Sequence, residues 1–245
     1  NIHLLNICYY SFLDFKLKDL YCKSMELLLS AKGISKSFQG RKVLDDIDIE
    51  IKKSEIIAIS GASGAGKTTL LNILSTLDKP DENTNSSLII DGENIFNLSN
   101  TDLSKLRNTK IGFVFQFHEL IPELNVMENI CLPGWIKNDS KVADNANSLI
   151  SYFGLDKLKN KKPNTLSGGE KQRAAIARAM INNPKIIFAD EPTGNLDSTN
   201  SKILFDIFFK LRDDYDCSIV IVTHNPENAK KCDRKLQIVD GKIKV

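Results

Sequence analysis

The chain has 245 residues, 42% hydrophobic and 26% charged, with 33 Lys and Arg against 31 Asp and Glu and a formal net charge of +2. That composition excludes collagen-like, disordered and disulfide-stapled classes, and the small basic excess excludes a non-specific nucleic-acid binder. The longest apolar runs, at residues 186–189 and 219–222, are of buried-strand length, far short of the ~20 residues that a membrane helix needs.

In chain order, the first Met is Met25, and residues 1–24 mix Tyr9, Tyr10, Phe12 and Phe15 with Asp14, Lys16, Lys18 and Asp19. They show no apolar core followed by a small-residue cleavage site, so the expectation is an upstream or loose extension, with one nucleotide-binding domain over 25–245. Residues 26–30 read as a short strand. Ile47, Ile49 and Ile51 alternate with charged residues, the period of a half-exposed strand. Residues 56–59 form an apolar run that ends in a Gly-rich turn over 61–66, and apolar spacing predicts a helix over 67–77. A polar loop over 81–87 precedes the apolar residues 88–90 and the Asp91-Gly92 turn. Residues 111–115 read as a strand inside an otherwise helical stretch from 99 to 180. There Val142, Ala146, Leu149, Ile150 and Phe153 make one helical stripe. Residues 185–189 and 218–223 are continuous β-rich runs, the mark of strands covered on both faces. Between them Ile203, Leu204, Ile207, Phe208 and Leu211 predict an amphipathic crossover helix. Strands alternating with helices imply a parallel sheet and the α/β class. The five cysteines (Cys8, Cys22, Cys131, Cys217 and Cys232) lack a C-x-x-C pair and read as free thiols in a reducing cytosol.

Gly61-Ala62-Ser63-Gly64-Ala65-Gly66-Lys67-Thr68 fits G-x-x-x-x-G-K-[ST] and lies between a strand and a helix, the context the motif requires. Glycines let the backbone curl so that its N–H groups face phosphate oxygens, and the helix N-terminus adds positive potential. Lys67 is expected at the β/γ-phosphates and the Thr68 hydroxyl on Mg²⁺. Further on, a hydrophobic strand ends in Asp190-Glu191. Two carboxylates there are costly unless a cation meets them. Asp190 suits the Mg²⁺ shell, and Glu191 suits the attacking water as its base.

Leu166-Ser167-Gly168-Gly169-Glu170-Lys171-Gln172-Arg173 is a good helix start on its own. It also resembles the signature motif of ABC-type ATPases, and the order of motifs resembles that family from about Glu26 onward. The resemblance implies a P-loop NTPase with a mainly parallel core sheet, an antiparallel β subdomain and a helical subdomain over about 97–182. It implies that Phe38 stacks on adenine, although a strand-face core position is equally open to a Phe there. It places residues from Gly61 to Thr69, including Thr69 itself, around the nucleotide. Gln116 becomes a loop glutamine that touches Mg²⁺ and senses a membrane partner, and Asp197 closes the segment Gly194-Asn195-Leu196-Asp197 near the nucleotide. His224 becomes the residue that contacts the γ-phosphate and supports Glu191, with Lys67 as the third catalytic group. Ser167, Gly168 and Gly169 would cover the ATP held by a second copy, so the implied assembly is a homodimer that sandwiches two ATP.

The text Phe115-Gln116-Phe117-His118-Glu119-Leu120-Ile121-Pro122, the Glu128-Asn129-Ile130 element and Asp190-Glu191-Pro192-Thr193-Gly194-Asn195-Leu196-Asp197 resemble the lipoprotein-releasing branch. Macrolide and antimicrobial-peptide exporters and the cell-division ABC ATPase are close sisters. The branch implies Mg²⁺-dependent ATP hydrolysis coupled to integral membrane permease subunits, at the cytoplasmic face of the inner membrane, with no nucleic acid. A soluble repair or translation ATPase, or a catalytically weak regulatory subunit, is disfavoured by the single ATP domain and by intact Lys67, Asp190, Glu191 and His224. Two departures stand out. Residues 83–87 lack the usual Ser-Gly pair, and Ala65 stands where Ser is frequent.

Overall fold

A computed structural model describes residues 27–82 and 85–244. The expected extension over 1–24 and the start of the first strand at Glu26 lie outside the described residues. So do Asn83 and Thr84 of the lengthened polar loop.

The N-terminal part is a long hairpin of β1 (Leu27–Phe38) and β2 (Arg41–Lys52). Its turn residues Gln39 and Gly40 have φ of 50° and 78°, the two left-handed positions that match the right-handed twist of a hairpin. The first strand is longer than the five residues its apolar start suggests. Lys32, Gly33, Ser35 and Lys36 interrupt the apolar pattern, but the ladder to β2 carries the backbone past them. At Gly33 the pairing shifts register, and its N–H donates to Asp48 Oδ1 at 2.7 Å. With β4 (Ser87–Ile90) and β5 (Glu93–Asn94) the hairpin forms a four-stranded antiparallel sheet, order β2-β1-β4-β5.

The second sheet holds β3 (Ile56–Gly61), β6 (Ile111–Val114), β7 (Ile186–Asp190), β8 (Ser218–Val222), β9 (Arg234–Val239) and β10 (Lys242–Lys244), in the order β10-β9-β3-β8-β7-β6. All its pairs are parallel except β10 on β9. The expected α/β class with a mainly parallel sheet is therefore what the chain forms.

The continuous apolar runs follow from cover on both faces. On one face Ile57, Ile59, Phe188, Val220 and Val222 meet Leu70, Leu71, Ile73 and Leu74 of α1 (Lys67–Leu74) and the antiparallel sheet. On the other, Ile56, Ile187, Ala189, Ile219 and Ile221 meet the remaining large helices: α3 (Val126–Ile136), α4 (Val142–Tyr152), α5 (Gly168–Met180) and α6 (Ser198–Tyr215). Each Val, Leu, Ile or Phe among them is worth about 1.5–3 kcal/mol against water. The remaining helices are α2 (Asn100–Lys110) and α7 (Pro226–Lys231). The stripe Val142, Ala146, Leu149, Ile150 and Phe153 is buried as its spacing predicts.

A second predicted boundary also differs. The helix expected over 67–77 stops at Leu74, Thr76 turns left-handed at φ 67°, and Leu77 is 48% exposed. One local and one tertiary bond fix this end: the Ser75 hydroxyl donates to the Asn72 carbonyl at 3.1 Å, and Arg107 Nη1 donates to the Thr76 carbonyl at 3.0 Å.

The Glu128-Asn129-Ile130 element also acquires a physical meaning. Asn125 and Glu128 close a reciprocal cap at the start of α3. Asn129 is fully buried; its amide donates to the carbonyls of Ile121, Leu124 and Asn125, and its oxygen accepts from the Ile121 N–H. Ile130 is buried beside them.

Candidate active site

The carboxyl ends of β3, β7 and β8 meet at one edge of the parallel sheet, where open α/β sheets place ligands. After β3 the chain curls through Gly61–Gly66. A Cβ on Gly61 would lie 2.5 Å from the Ile238 carbonyl oxygen, so only glycine fits there. Gly66, at φ 97°, caps α1 without a side-chain acceptor, and α1 has no acid in its first turn. The first N–H groups of a helix have no intrahelical partner, so Lys67, Thr68 and Thr69 present bare donors, while in the loop the Ala65 N–H donates to the Ala62 carbonyl at 3.2 Å. Ala62, Ser63 and Gly64 are exposed, and Ala65 is half-buried against the core. Lys67 is buried to 6% exposure, and its Nζ donates to the carbonyls of Ala62 at 2.9 Å and Gly61 at 3.2 Å.

The two carboxylates lie across from this loop. The Thr68 hydroxyl donates to Asp190 Oδ2 at 3.0 Å, which joins the two motifs. Asp190 Oδ1 is buried with no hydrogen-bond partner. Burial pushes the Asp190 carboxyl above its ordinary range, and the Thr68 hydrogen bond opposes that. A buried oxygen without a donor beside a hydroxyl is a donor set suited to a hard cation. Among the described residues no cluster of three or more His, Cys, Asp and Glu could hold a metal alone. Mg²⁺ fits the arrangement, because it binds through one or two protein ligands, waters and substrate phosphates.

Glu191 follows in a left-handed conformation, φ 44°, its N–H donating to the Val222 carbonyl at 3.0 Å. The bond ties the end of β7 to β8 and turns the side chain toward His224, whose Nε2 lies 2.6 Å from Glu191 Oε1. A strained non-glycine residue at the end of a catalytic-edge strand is where backbone cost is exchanged for placement.

Phe38 is not a core residue: it is 48% exposed, with Lys36 Nζ 5.4 Å from its ring centroid. It pairs with Arg41, which lines a cavity of 390 Å³ with Lys42, Ser63, Gly64 and Ala65. Gln116 leaves β6 toward Gly194, where a Cβ would meet its Nε2 at 3.1 Å, and its carbonyl accepts from Asn195 Nδ2 at 3.2 Å. Its amide therefore lies against Gly194, with no hydrogen bond to Thr68 or Asp190 among the described residues. Asp197 caps α6, accepting from the Asn200 N–H at 2.8 Å, and that bond holds its carboxyl below the usual range. Ser167 caps α5 in a reciprocal cap with Glu170. The backbone N–H and hydroxyl of Ser167 lower the Glu170 carboxyl. Gly168 and Gly169 pack against Leu196 and Asn200, so this segment is supported from its own chain by the neighbourhood of Asp197.

Sequence reasoning missed three contributors. Gln172, fully buried, donates to the Phe115 carbonyl at 3.2 Å. Asn195 donates through Nδ2 to the Gln116 carbonyl. Arg178 donates through Nη2 to the His118 carbonyl at 3.0 Å and through Nη1 to the Glu119 carbonyl. The available signal was a lone cation in the small, apolar run Ala174-Ala175-Ile176-Ala177-Arg178-Ala179.

The chain matches the ABC transporter family model over residues 44–194. The lipoprotein-releasing system ATP-binding protein LolD of Bacteroides thetaiotaomicron is 48% identical over 219 residues, covering 89% of this chain and 99% of that protein. The protein of the same name from Aquifex aeolicus is 46% identical over 223 residues, covering 89% of this chain and 97% of that protein. Among solved structures, a dimeric ATP-binding cassette, MJ0796, in a post-hydrolysis state bound to ADP and Pi, matches with a TM-score of 0.80 at 36% identity, over 89% of this chain and 97% of that one. The chain belongs to the ABC transporter family, as an ATP-binding protein of the lipoprotein-releasing, LolD type.

Proposed function

We propose that the chain hydrolyses ATP to power the release of lipoproteins from a membrane, working through permease subunits. The observation that carries the chemistry is the meeting of two motifs. Thr68 is bonded to Asp190, whose second oxygen is buried and unpaired, beside a Glu191–His224 contact of 2.6 Å.

The roles follow from these positions. The N–H groups from Gly61 to Thr69 cradle the phosphates. Lys67 exchanges its bonds to Gly61 and Ala62 for β- and γ-phosphate oxygens. Thr68 and Asp190 would hold Mg²⁺, and Gln116 would join them by turning its side chain away from Gly194. When bound, the ion neutralises charge that develops on the transferring phosphoryl group. Glu191 Oε1 is held by His224, which leaves Oε2 to take a proton from the attacking water. Phe38 stacks on the base beside Arg41. Ser167, Gly168 and Gly169 face the γ-phosphate held by a second copy, and Asp197 lies at that junction. Two copies therefore enclose two ATP, and hydrolysis reopens them.

No described helix is long and apolar enough to cross a membrane, so the work on a lipidated cargo falls to membrane partners. The chain sits peripherally at the cytoplasmic face of the inner membrane, as one ATPase domain over 25–245 whose helical subdomain spans about 97–182. Co-purification in detergent, then reconstitution of the permease complex in proteoliposomes with a lipidated protein, tests this. ATP with Mg²⁺ is expected to release the lipoprotein. Release without ATP would sink the proposal, and export of a macrolide or peptide instead would move the chain to a sister branch.

A further inference from the structure

We propose that Arg178 is a positioning residue: its guanidinium holds the main chain of the glutamine loop in the shape that delivers Gln116 to the reaction centre, and ties that loop to α5. The proposal rests on the role given to Gln116 above.

Residues 115–119 leave the end of β6 without a sheet partner for their carbonyls. Four of those carbonyls are held by side chains instead. Gln172 holds Phe115, Asn195 holds Gln116, and the two arms of Arg178 hold His118 and Glu119. His118 and Glu119 both stand in the left-handed region, at φ 63° and 47°. Neither is glycine, and successive left-handed residues relax unless something outside the loop keeps them there. Within the loop the His118 N–H donates to the Phe115 carbonyl at 3.3 Å and the Glu119 N–H to the Phe117 carbonyl at 2.6 Å; Arg178 is the group outside the loop that bonds both strained residues at once.

The chemistry is specific to arginine. Its planar fork offers two parallel donors at a spacing that spans adjacent carbonyls, and charge-assisted bonds are the stronger kind. Arg178 is half-buried, and that burial lowers its pKa from the ordinary value. Among the described residues it has no carboxylate within ion-pair distance. The Glu119 charge opposes that lowering from beyond ion-pair distance, while the loop carbonyls take the hydrogen bonds of the fork, so the fork and the loop geometry depend on each other. Arg178 and Gln172 lie on the same helix that opens with Ser167 and Gly168. A displacement of that helix is thereby a displacement of the backbone next to Gln116.

The test is a double-mutant cycle of steady-state ATP hydrolysis by the full chain, measured well below each variant's unfolding temperature. Arg178→Met is expected to lower kcat about tenfold with KM for ATP within about twofold, and Arg178→Lys to lie between it and the native chain. Gln116→Ala lowers kcat by itself, and the double variant is expected to be no slower than Gln116→Ala alone. Amide exchange over residues 117–120 is expected to speed up in Arg178→Lys, before any nucleotide is added. Equal kcat in Arg178→Met and the native chain, or two effects that multiply, would overturn the proposal while leaving the role of Gln116 intact. A silent Gln116→Ala overturns that role and the proposal with it. If Arg178→Met does not fold, native kcat and native exchange in Arg178→Lys overturn the proposal.

Discussion

Along β3, β7 and β8 the interior and the carboxyl end obey opposite rules. In the interior, Ile57, Ile187, Phe188, Ile219 and Val220 are fully buried and apolar, and the backbone is paired on both sides. Two to four residues further on, Gly61 admits no side chain, Asp190 keeps a buried oxygen without a donor, and Glu191 stands left-handed. The ladder ends at that edge, and there Asp190 Oδ1 is left with no donor among the described residues. That is a cost in the free chain and the binding energy for a phosphate and a cation. The interior stabilises the fold, and the edge gives part of that stability back for chemistry.

The comparison can be broken by changing each half in turn. The largest expected effect is at the edge: Glu191→Gln should lower kcat by about a thousandfold or more while ATP still binds. ATP should then trap a dimer visible by size-exclusion chromatography, and unchanged turnover would remove Glu191 from the base role. Next is Lys67→Ala, expected to weaken nucleotide binding by about a hundredfold, since it removes the one buried cation of the loop. An isothermal titration with native affinity would contradict the phosphate-loop role.

In the interior, Phe188→Ala should cost about 3–5 kcal/mol in urea unfolding, with any protein that stays folded keeping its nucleotide affinity. An equal loss of binding at full occupancy of the fold would mean the halves are not separable. Asp190→Asn is the sharper variant. It removes a buried charge, so the nucleotide-free chain should unfold at an unchanged or slightly higher temperature while Mg²⁺-dependent hydrolysis falls. A clear drop in melting temperature would show that Asp190 stabilises the fold.

The smallest effect is one of pH. The carboxyls of Glu170 and Asp197 are depressed by their helix caps. Their contribution is therefore complete above the ordinary carboxylate pKa of ~4 and is lost as pH falls through their lower folded values. Melting curves of the native chain and Asp197→Asn should converge as the solution is acidified; a gap that widens would reverse the assignment.

Much of this was legible before any coordinates. The phosphate loop is a local device: glycine positions, a lysine and a hydroxyl at fixed spacing at a strand–helix junction, and it folds where that spacing says. The Asp190-Glu191 pair announced itself as charge at the end of an apolar strand. The long hairpin did not, because β1 is stabilised by its partner strand, and Lys32, Gly33 and Ser35 carry no periodic signal. The end of α1 at Leu74 was hidden for a similar reason, since Arg107, distant in sequence, takes the Thr76 carbonyl. Gln172, Asn195 and Arg178 were invisible because each acts on backbone carbonyls, which every residue has.

By itself the sequence determined the class of fold, the order of the motifs and the chemistry each could offer, because apolar period, glycine placement and charge at strand ends are local properties. Tertiary structure decided which of those groups meet. It set Thr68 on Asp190, left one carboxylate oxygen without a partner, turned Glu191 onto His224, and hung the glutamine loop from a helix and a turn remote in the chain. Those contacts depend on distances between segments tens of residues apart, and those distances are set only when the sheet pairs and its two faces are packed.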